Sequence, residues 1–116
     1  MSRKNEYKTS PLNPELRKKI RTTITEWYGD RLSKLLLFGS YARGNPHLES
    51  DIDIFIILKD KAISIFNELD ILTELTMPLN IRYGCLISPH PVSEVNFEQY
   101  PDYPLYRNVK EEGIVL

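Results

Sequence analysis

The run DIDIFIIL at residues 51–58 constrains this chain most, because two aspartates one residue apart open an otherwise apolar strand. Side chains alternate along a strand, so Asp51 and Asp53 are expected on one face, with their Cα atoms about 6.6 Å apart. At an effective dielectric constant near 20, two ionised carboxylates at that distance repel by roughly 2–3 kcal/mol. Protonation of one carboxyl, a basic side chain such as Arg43, or a divalent cation would offset this repulsion. Taken alone, the pair is more typical of a surface arrangement than of a metal site.

A Gly-Ser turn, Gly39-Ser40, ends a second apolar run upstream, at residues 34–38. A glycine at a strand end lets the backbone approach a ligand closely, and a serine offers a hydroxyl and an amide to a phosphate oxygen. Alone, such a pair of residues is a plain tight turn. Carboxylates, however, hold Mg²⁺, and Mg²⁺ bridges triphosphate oxygens. The turn together with Asp51 and Asp53 therefore indicates a site for a nucleoside triphosphate and Mg²⁺.

Three familiar ligand motifs are excluded by single residues. A P-loop needs Lys-Ser or Lys-Thr where this chain has Asn45-Pro46. The dinucleotide fingerprint needs a glycine where Tyr41 stands. An EF-hand would continue with a further oxygen ligand and a glycine, but Phe55 and Ile56 follow the aspartates. The site is therefore none of these loops.

The remaining candidate metal ligands and the overall charge give further limits. His47, His90 and Cys85 share no spacing typical of a zinc site, and both histidines are predicted to be surface residues. A lone cysteine forms no internal disulfide and no apolar leader follows the basic start, so a cytoplasmic location is expected. No run is long and apolar enough for a membrane span. A net charge of −1 argues against a nucleic-acid binder.

The periodicity predicts an α/β fold, a small mixed β-sheet covered by helices, in a single domain over residues 1–116 with a flexible arm at 1–12. Asn13 is expected to cap a helix that runs to Tyr28. A second helix should run from residue 61 to 77 and stop before Pro78, because proline disrupts a helix interior. The other predicted elements are strands at 34–38, 51–58 and 81–88, a short helix capped by Ser93, and a last helix at 103–112.

Gly39-Ser40, ten intervening residues and Asp51-Ile52-Asp53 resemble the GS-x10-DxD signature of the DNA polymerase β-like nucleotidyltransferase superfamily. The segment Ala42-Arg43-Gly44 and the Ser50 before Asp51 are similar to its small bacterial and archaeal branch, the minimal nucleotidyltransferases. The signature covers residues 38–54. The ending PLYRNVKEEGIVL extends the similarity weakly across the chain.

The resemblance implies a nucleotidyltransferase fold in which Gly39, Ser40 and Arg43 lie at the nucleotide. Asp51 and Asp53 would be the catalytic residues and would ligate Mg²⁺. The implied reaction moves a nucleoside monophosphate, AMP from ATP, to a hydroxyl of a partner protein. The implied partner is a small helical HEPN-type toxin, for which this chain would be the antitoxin. The sequence leaves open whether the chain forms a homo-oligomer.

One departure from the superfamily pattern leaves two readings open. The pattern has a third acidic residue on the next sheet strand, but the predicted strand contains neither Asp nor Glu. Either Glu49 or Glu94 substitutes, or the chain is a catalytically degenerate binding module that neutralises its partner by occupancy. A transferase acting on an antibiotic or on RNA is disfavoured, because so short a chain has little room for an acceptor-binding domain and its charge is near neutral.

Overall fold

The computed structural model describes residues 12–46 and 51–116, which form a mixed sheet with helices on both faces. The helices are α1 (Pro14–Tyr28), α2 (Ser40–Arg43), α3 (Ile65–Tyr83), α4 (Glu94–Gln99) and α5 (Pro104–Glu112). The strands are β1 (Leu32–Phe38), β2 (Ile52–Leu58), β3 (Ile87–Ser93) and β4 (Ile114–Val115). The sheet order is β3-β2-β1-β4, with β2 and β3 parallel and the other pairs antiparallel. The predicted α/β class is confirmed, and no helix in the described part of the chain is long and apolar enough to cross a membrane.

The central strand β2 is buried on both faces, and its alternation decides what lies on each. Its even-numbered residues join the larger core with α1 and α3, and its odd-numbered apolar residues, Phe55 and Ile57, join a second core with Phe97 of α4 and Val109 of α5. Burying each such side chain contributes about 1.5–3 kcal/mol. Because Asp53 is odd-numbered, it lies on the face that α4 and α5 cover, and Asp51 immediately precedes the strand.

Helix α1 forms as its caps and apolar spacing predict. The Asn13 side chain accepts hydrogen bonds from the amides of Glu15 and Leu16, and Pro14 occupies the first helical position. The helix buries one stripe against the sheet, consisting of Leu16, Ile20, Ile24 and Tyr28. Leu12, at the end of the predicted arm, is also buried in this core, and the rest of that arm lies outside the described residues.

The prediction that Pro78 ends the second helix is wrong. Helix α3 passes through Pro78 and ends at Tyr83, where Gly84 takes a left-handed conformation with φ of 60°. The turn after the proline buries Leu79, and the amide of Gly84 bonds back to the carbonyl of Asn80. Pro78 itself is exposed, so its ring meets solvent and the gain from burying Leu79 offsets the lost hydrogen bond.

The predicted third strand is displaced by this longer helix, since β3 begins at Ile87 and contains Pro89 and Pro91. The carbonyl of Leu86 accepts from the amide of Ile52. By alternation, the backbone N–H and C=O groups of the even-numbered residues of β3 point toward β2. The backbone groups of the odd-numbered residues, which include both prolines, point away from the sheet. Prolines lack an N–H, so both fit this edge strand, which continues to Ser93, beyond the predicted end at residue 88.

Candidate functional site

Gly39 and Asp53 meet at the junction of β1 and α2. Gly39 has φ of 79° and ψ of −153°, a region that essentially only glycine adopts. A Cβ on Gly39 would lie 2.6 Å from Oδ2 of Asp53. The missing side chain therefore leaves the space in which the carboxylate of Asp53 rests against the backbone. The glycine is required twice, for its conformation and for this approach.

Asp53 lies in β2 on the face of α4 and α5, where the alternation places it, and Asp51 immediately precedes the strand. Asp51 is exposed, and Asp53 is half-buried with its side chain 28% accessible. Phe38, the last residue of β1, pairs with Asp53, so the Gly39-Ser40 turn follows directly at the same end of the sheet. The structure thus brings the predicted turn and the predicted carboxylates together.

His90, which the sequence analysis assigned to the surface, belongs to this site. Its Nε2 lies 3.3 Å from Oδ1 of Asp53, and its ring stacks on Phe55 with the centroids 5.1 Å apart and the planes at 17°. The parallel register pairs His90 with Phe55, which puts both on the face of Asp53. The register of β3 would have identified His90. The sequence predicts this strand too early, at residues 81–88, because it predicts that the preceding helix ends before Pro78. His47 lies outside the described residues.

The third carboxylate is absent from β3, although the strand differs from the predicted one. Its seven residues, ISPHPVS, contain no Asp or Glu, and Ser88 stands opposite Asp53. Glu94 is excluded as a substitute because it follows Ser93, which pairs with Leu58 at the far end of β2. There its carboxylate accepts a hydrogen bond from the hydroxyl of Ser33. Glu49 lies outside the described residues.

Arg43, the basic residue predicted at the nucleotide, is the last residue of the short helix α2. Its Nη1 lies 3.6 Å from Oε2 of Glu112 in α5, and both side chains are more than 40% exposed. An exposed pair of this length is weak and exchanges readily with other charges. The guanidinium is therefore close to the turn and available to an anion.

The donor set fits a magnesium ion that shares its ligands with a nucleotide. Within residues 12–46 and 51–116, no three His, Cys, Asp or Glu side chains gather closely enough to hold an ion by themselves. Mg²⁺ is commonly held by one or two carboxylates together with substrate phosphates and water, and not by an all-protein cage. Asp53, seated in the space left by Gly39, and the exposed Asp51 two residues before it match that arrangement.

A groove adjoins the site on the outer side of β3. It has a volume of roughly 200 Å³, below the 300–1,000 Å³ typical of pockets for whole small ligands. Strands β2 and β3 supply Phe55 and residues 89–92, helix α3 supplies Ile65 and Leu69, and helix α5 supplies Leu105 and Tyr106. None of these described lining residues is Lys, Arg, Asp or Glu. The groove therefore suits an apolar side chain better than a phosphate.

Comparison with protein families and curated proteins gives consistent matches. Residues 18–116 match the family described as "Polymerase beta, Nucleotidyltransferase". "Putative protein adenylyltransferase MJ0604" of Methanocaldococcus jannaschii is 36% identical over 99 residues, covering 85% of this chain and 92% of that protein. "Putative protein adenylyltransferase MJ0141" of the same organism is 33% identical over 75 residues, covering 65% of this chain and 74% of that protein.

Solved structures match over most of the chain. A crystal structure of a mutant of the toxin–antitoxin MntA-HpeT has a TM-score of 0.59 and 25% identity, covering 90% of this chain and 72% of that chain. A crystal structure of a toxin–antitoxin with AMP-PNP has a TM-score of 0.60 and 24% identity, with the same coverage. At these identities the likeness is chiefly one of fold.

Proposed function

Because the chain belongs to the polymerase beta nucleotidyltransferase family, we propose that it transfers AMP from ATP to a hydroxyl group of a partner protein. The observation that carries the proposal is the carboxylate of Asp53, seated against the backbone of Gly39 two residues after the exposed Asp51. This placement brings the carboxylate to the end of β1, where the Gly39-Ser40 turn begins. It holds two oxygen ligands beside a turn able to contact phosphate.

Each site residue has a defined part in this reaction. Asp51 and Asp53 hold Mg²⁺ together with the phosphates of ATP, and Gly39 and Ser40 present a backbone amide and a hydroxyl to the phosphate oxygens. When bound, the ion neutralises phosphate charge and lowers the barrier to displacement of pyrophosphate. Arg43 adds positive charge at the turn. The acceptor hydroxyl oxygen attacks the α-phosphorus, its proton passes to water, and pyrophosphate leaves with the electrons of the bond between the α-phosphorus and the bridging oxygen.

The groove beside the site supports a protein as the acceptor. Its apolar lining offers no cation to a nucleic-acid backbone, and its size suits one large side chain. The outward prolines of β3 remove N–H donors from the sheet edge, so an added strand finds few partners there. Relatives that carry the name of protein adenylyltransferases support the same class of acceptor.

We take the partner to be a toxin, specifically a small helical protein of the HEPN type. The matched crystal structures are of toxin–antitoxin complexes, and one of them contains AMP-PNP. Their fold covers 90% of this chain. In this proposal the transferred AMP inactivates the toxin, and the chain acts as its antitoxin.

A second candidate function is that of a binding module that neutralises the toxin by occupancy alone. The observation that favours it is the absence of an acidic residue from β3, where the family pattern has a third carboxylate. The two candidates differ in one respect that can be measured. Occupancy needs neither ATP nor the aspartates.

The test is transfer of label from [α-³²P]ATP to a purified small helical protein of the HEPN type, the proposed partner. We expect Mg²⁺-dependent label on that protein, abolished by EDTA and by the double variant Asp51→Asn/Asp53→Asn. The matched control is Asp70→Asn/Glu74→Gln, which removes two exposed charges from α3 and should retain full transfer. Absence of label, or equal transfer by the aspartate variant, contradicts the enzymatic proposal. Toxin neutralisation that persists in the aspartate variant supports occupancy instead.

A further inference from the structure

We propose that His90 is a direct ligand of the divalent ion at this site and that it gives the site a preference for Mn²⁺ over Mg²⁺. The inference rests on the proposed function, because it concerns the ion that Asp53 would hold. It goes beyond that function because the family pattern has a third carboxylate, and not an imidazole, on the neighbouring strand.

The separation of the two side chains suits a bridging ion. Nε2 of His90 and Oδ1 of Asp53 are 3.3 Å apart. Two adjacent ligands with bonds of 2.0–2.2 Å lie about 3.0 Å apart around an octahedral ion and about 3.4 Å apart around a tetrahedral one. A charge-assisted hydrogen bond would draw the same atoms to roughly 2.7–2.9 Å. The pair meets as a hydrogen bond at this distance, which also lies between the two ligand spacings, so an ion that replaces the shared proton needs little movement of either side chain.

The imidazole ring is held in place by its surroundings. It stacks on Phe55, and the parallel pairing of β2 with β3 fixes the backbone beneath both residues. The side chains of His90 and Asp53 remain 38% and 28% accessible, so an ion with its water can reach both. A ligand that is oriented before the ion arrives loses little conformational freedom on binding.

The preference for Mn²⁺ follows from the chemistry of the donors. Mg²⁺ is a hard cation bound almost entirely by oxygen, whereas divalent ions of the first transition series gain more from an imidazole nitrogen, with Mn²⁺ the weakest-binding member of that series. Strand β3 offers Asp53 no carboxylate, and His90 is its one metal-binding side chain. Replacing an oxygen ligand with a nitrogen therefore lowers the affinity of the site for Mg²⁺ relative to its affinity for Mn²⁺.

Electron spin-echo spectroscopy tests the ligation without requiring catalysis. The full chain is labelled with [¹⁵N]histidine and loaded with Mn²⁺ and α,β-methylene-ATP, whose bridging carbon carries no nitrogen and resists AMP transfer. We expect ³¹P coupling from the nucleotide together with ¹⁵N coupling from a directly bound imidazole. The ¹⁵N coupling should vanish in His90→Ala and persist in His47→Ala, the matched control, because the chain contains only two histidines.

Ion competition gives a second, independent measurement. Isothermal titration in the presence of α,β-methylene-ATP should show that His90→Ala lowers Mn²⁺ affinity by roughly tenfold or more. His90→Asp should restore a carboxylate and shift the ratio of Mn²⁺ to Mg²⁺ affinity toward Mg²⁺. A ratio that is unchanged in both variants overturns the inference.

The outcomes separate this inference from the function on which it rests. Mn²⁺ bound with ³¹P coupling but without ¹⁵N coupling leaves the nucleotide site intact and overturns the role of His90. Coupling lost in His47→Ala and kept in His90→Ala also overturns it. If the wild-type chain binds neither Mn²⁺ nor the nucleotide analogue, the proposed function itself fails.

Discussion

Acidic side chains at the two ends of β2 differ in solvent exposure and in hydrogen bonding. At its start, Asp51 is exposed, and Asp53 is half-buried beside His90 at 3.3 Å. Beyond its other end, Glu68 of α3 is only 7% exposed, and its carboxylate accepts hydrogen bonds from the hydroxyl of Tyr28 at 2.8 Å and from Arg31 at 3.1 Å. The carboxylates at the start of β2 are accessible to solvent, whereas the carboxylate beyond its other end connects α3 to Tyr28 and Arg31.

This difference separates residues that serve a ligand from residues that serve the fold. Two neighbouring accessible carboxylates repel each other until a cation binds, so their removal should relieve this repulsion in the folded chain. A buried carboxylate with two donors leaves those donors unpaired when it is removed. Substitution of an acidic residue should therefore change stability in opposite directions at the two ends.

The largest effect is expected for Asp53→Asn combined with Asp51→Asn. Loss of the ion's carboxylates removes several kcal/mol of charge stabilisation, so AMP transfer should fall by about 10³-fold. The free energy of unfolding should stay the same or rise by up to ~1 kcal/mol, because the mutual repulsion is gone. Urea denaturation and the labelled-ATP assay measure the two quantities. A clear loss of stability would mean that the aspartates serve the fold after all.

Glu68→Ala should show the reverse pattern. It leaves the hydroxyl of Tyr28 and the guanidinium of Arg31 without their shared acceptor, so the free energy of unfolding should fall by about 2–4 kcal/mol. Transfer per folded molecule should stay within about twofold of the wild type. Glu74→Ala, an exposed position on the same helix, is the control and should change stability by less than about 0.5 kcal/mol.

Much of the fold could be predicted from local signals. Asn13-Pro14 and the apolar stripe of α1 are sufficient for that helix, and the alternation in β2 is sufficient to place Asp53 on the face of the odd-numbered apolar residues. The sequence predicts that helix α3 ends before Pro78, but the lost hydrogen bond and the clash of the ring with the preceding turn are offset by burial of Leu79 beyond it. That is a property of the tertiary structure and cannot be read from the sequence alone.

The site was predictable to the extent that it is local. Gly39, Ser40 and the aspartates are brought together by one antiparallel hairpin-like pairing of β1 with β2, so their spacing along the chain predicts their proximity. His90 lies 37 residues beyond Asp53 and reaches it through a parallel pairing across α3. Parallel register is set by a long connection, and it shifts whenever the helix within that connection is misjudged.

Gly39→Ala should separate backbone strain from displacement of the carboxylate. The new Cβ would meet Oδ2 of Asp53 at 2.6 Å, so the carboxylate must move and transfer should fall by roughly 10–100-fold. Gly29→Ala is the matched control, since Gly29 also has positive φ, at 53°, but has nothing within 4 Å of the added atom. Both variants should lose about 1–3 kcal/mol of stability, and only the first should lose activity.

Alkaline pH should lower the free energy of unfolding through the contact between Tyr28 and Glu68. Burial, followed by the hydrogen bond to Glu68, raises the pKa of Tyr28 above its ordinary value of 10. The folded chain therefore holds this proton more tightly than the unfolded chain, so the stabilisation is complete below pH 10 and is lost as the pH rises further. In urea titrations, Tyr28→Phe should lose about 1 kcal/mol at neutral pH and decline less steeply above pH 10. Tyr103→Phe, an exposed position, should follow the wild-type slope.

The smallest effect is expected at the contact between Arg43 and Glu112, which joins the accessible end to α5. At 3.6 Å between two exposed side chains, this ion pair contributes no more than about 1 kcal/mol, so neither Arg43→Ala nor Glu112→Gln should change stability appreciably. If Arg43 contacts the nucleotide, its removal should raise the KM for ATP by a few-fold, on the order of one charge-assisted contact. Glu112→Gln should leave that KM unchanged or lower it, because the guanidinium no longer exchanges between a carboxylate and a phosphate. An equal rise in both variants would instead assign the effect to the packing of α5 against the turn, and Arg43 would then belong with the residues that serve the fold.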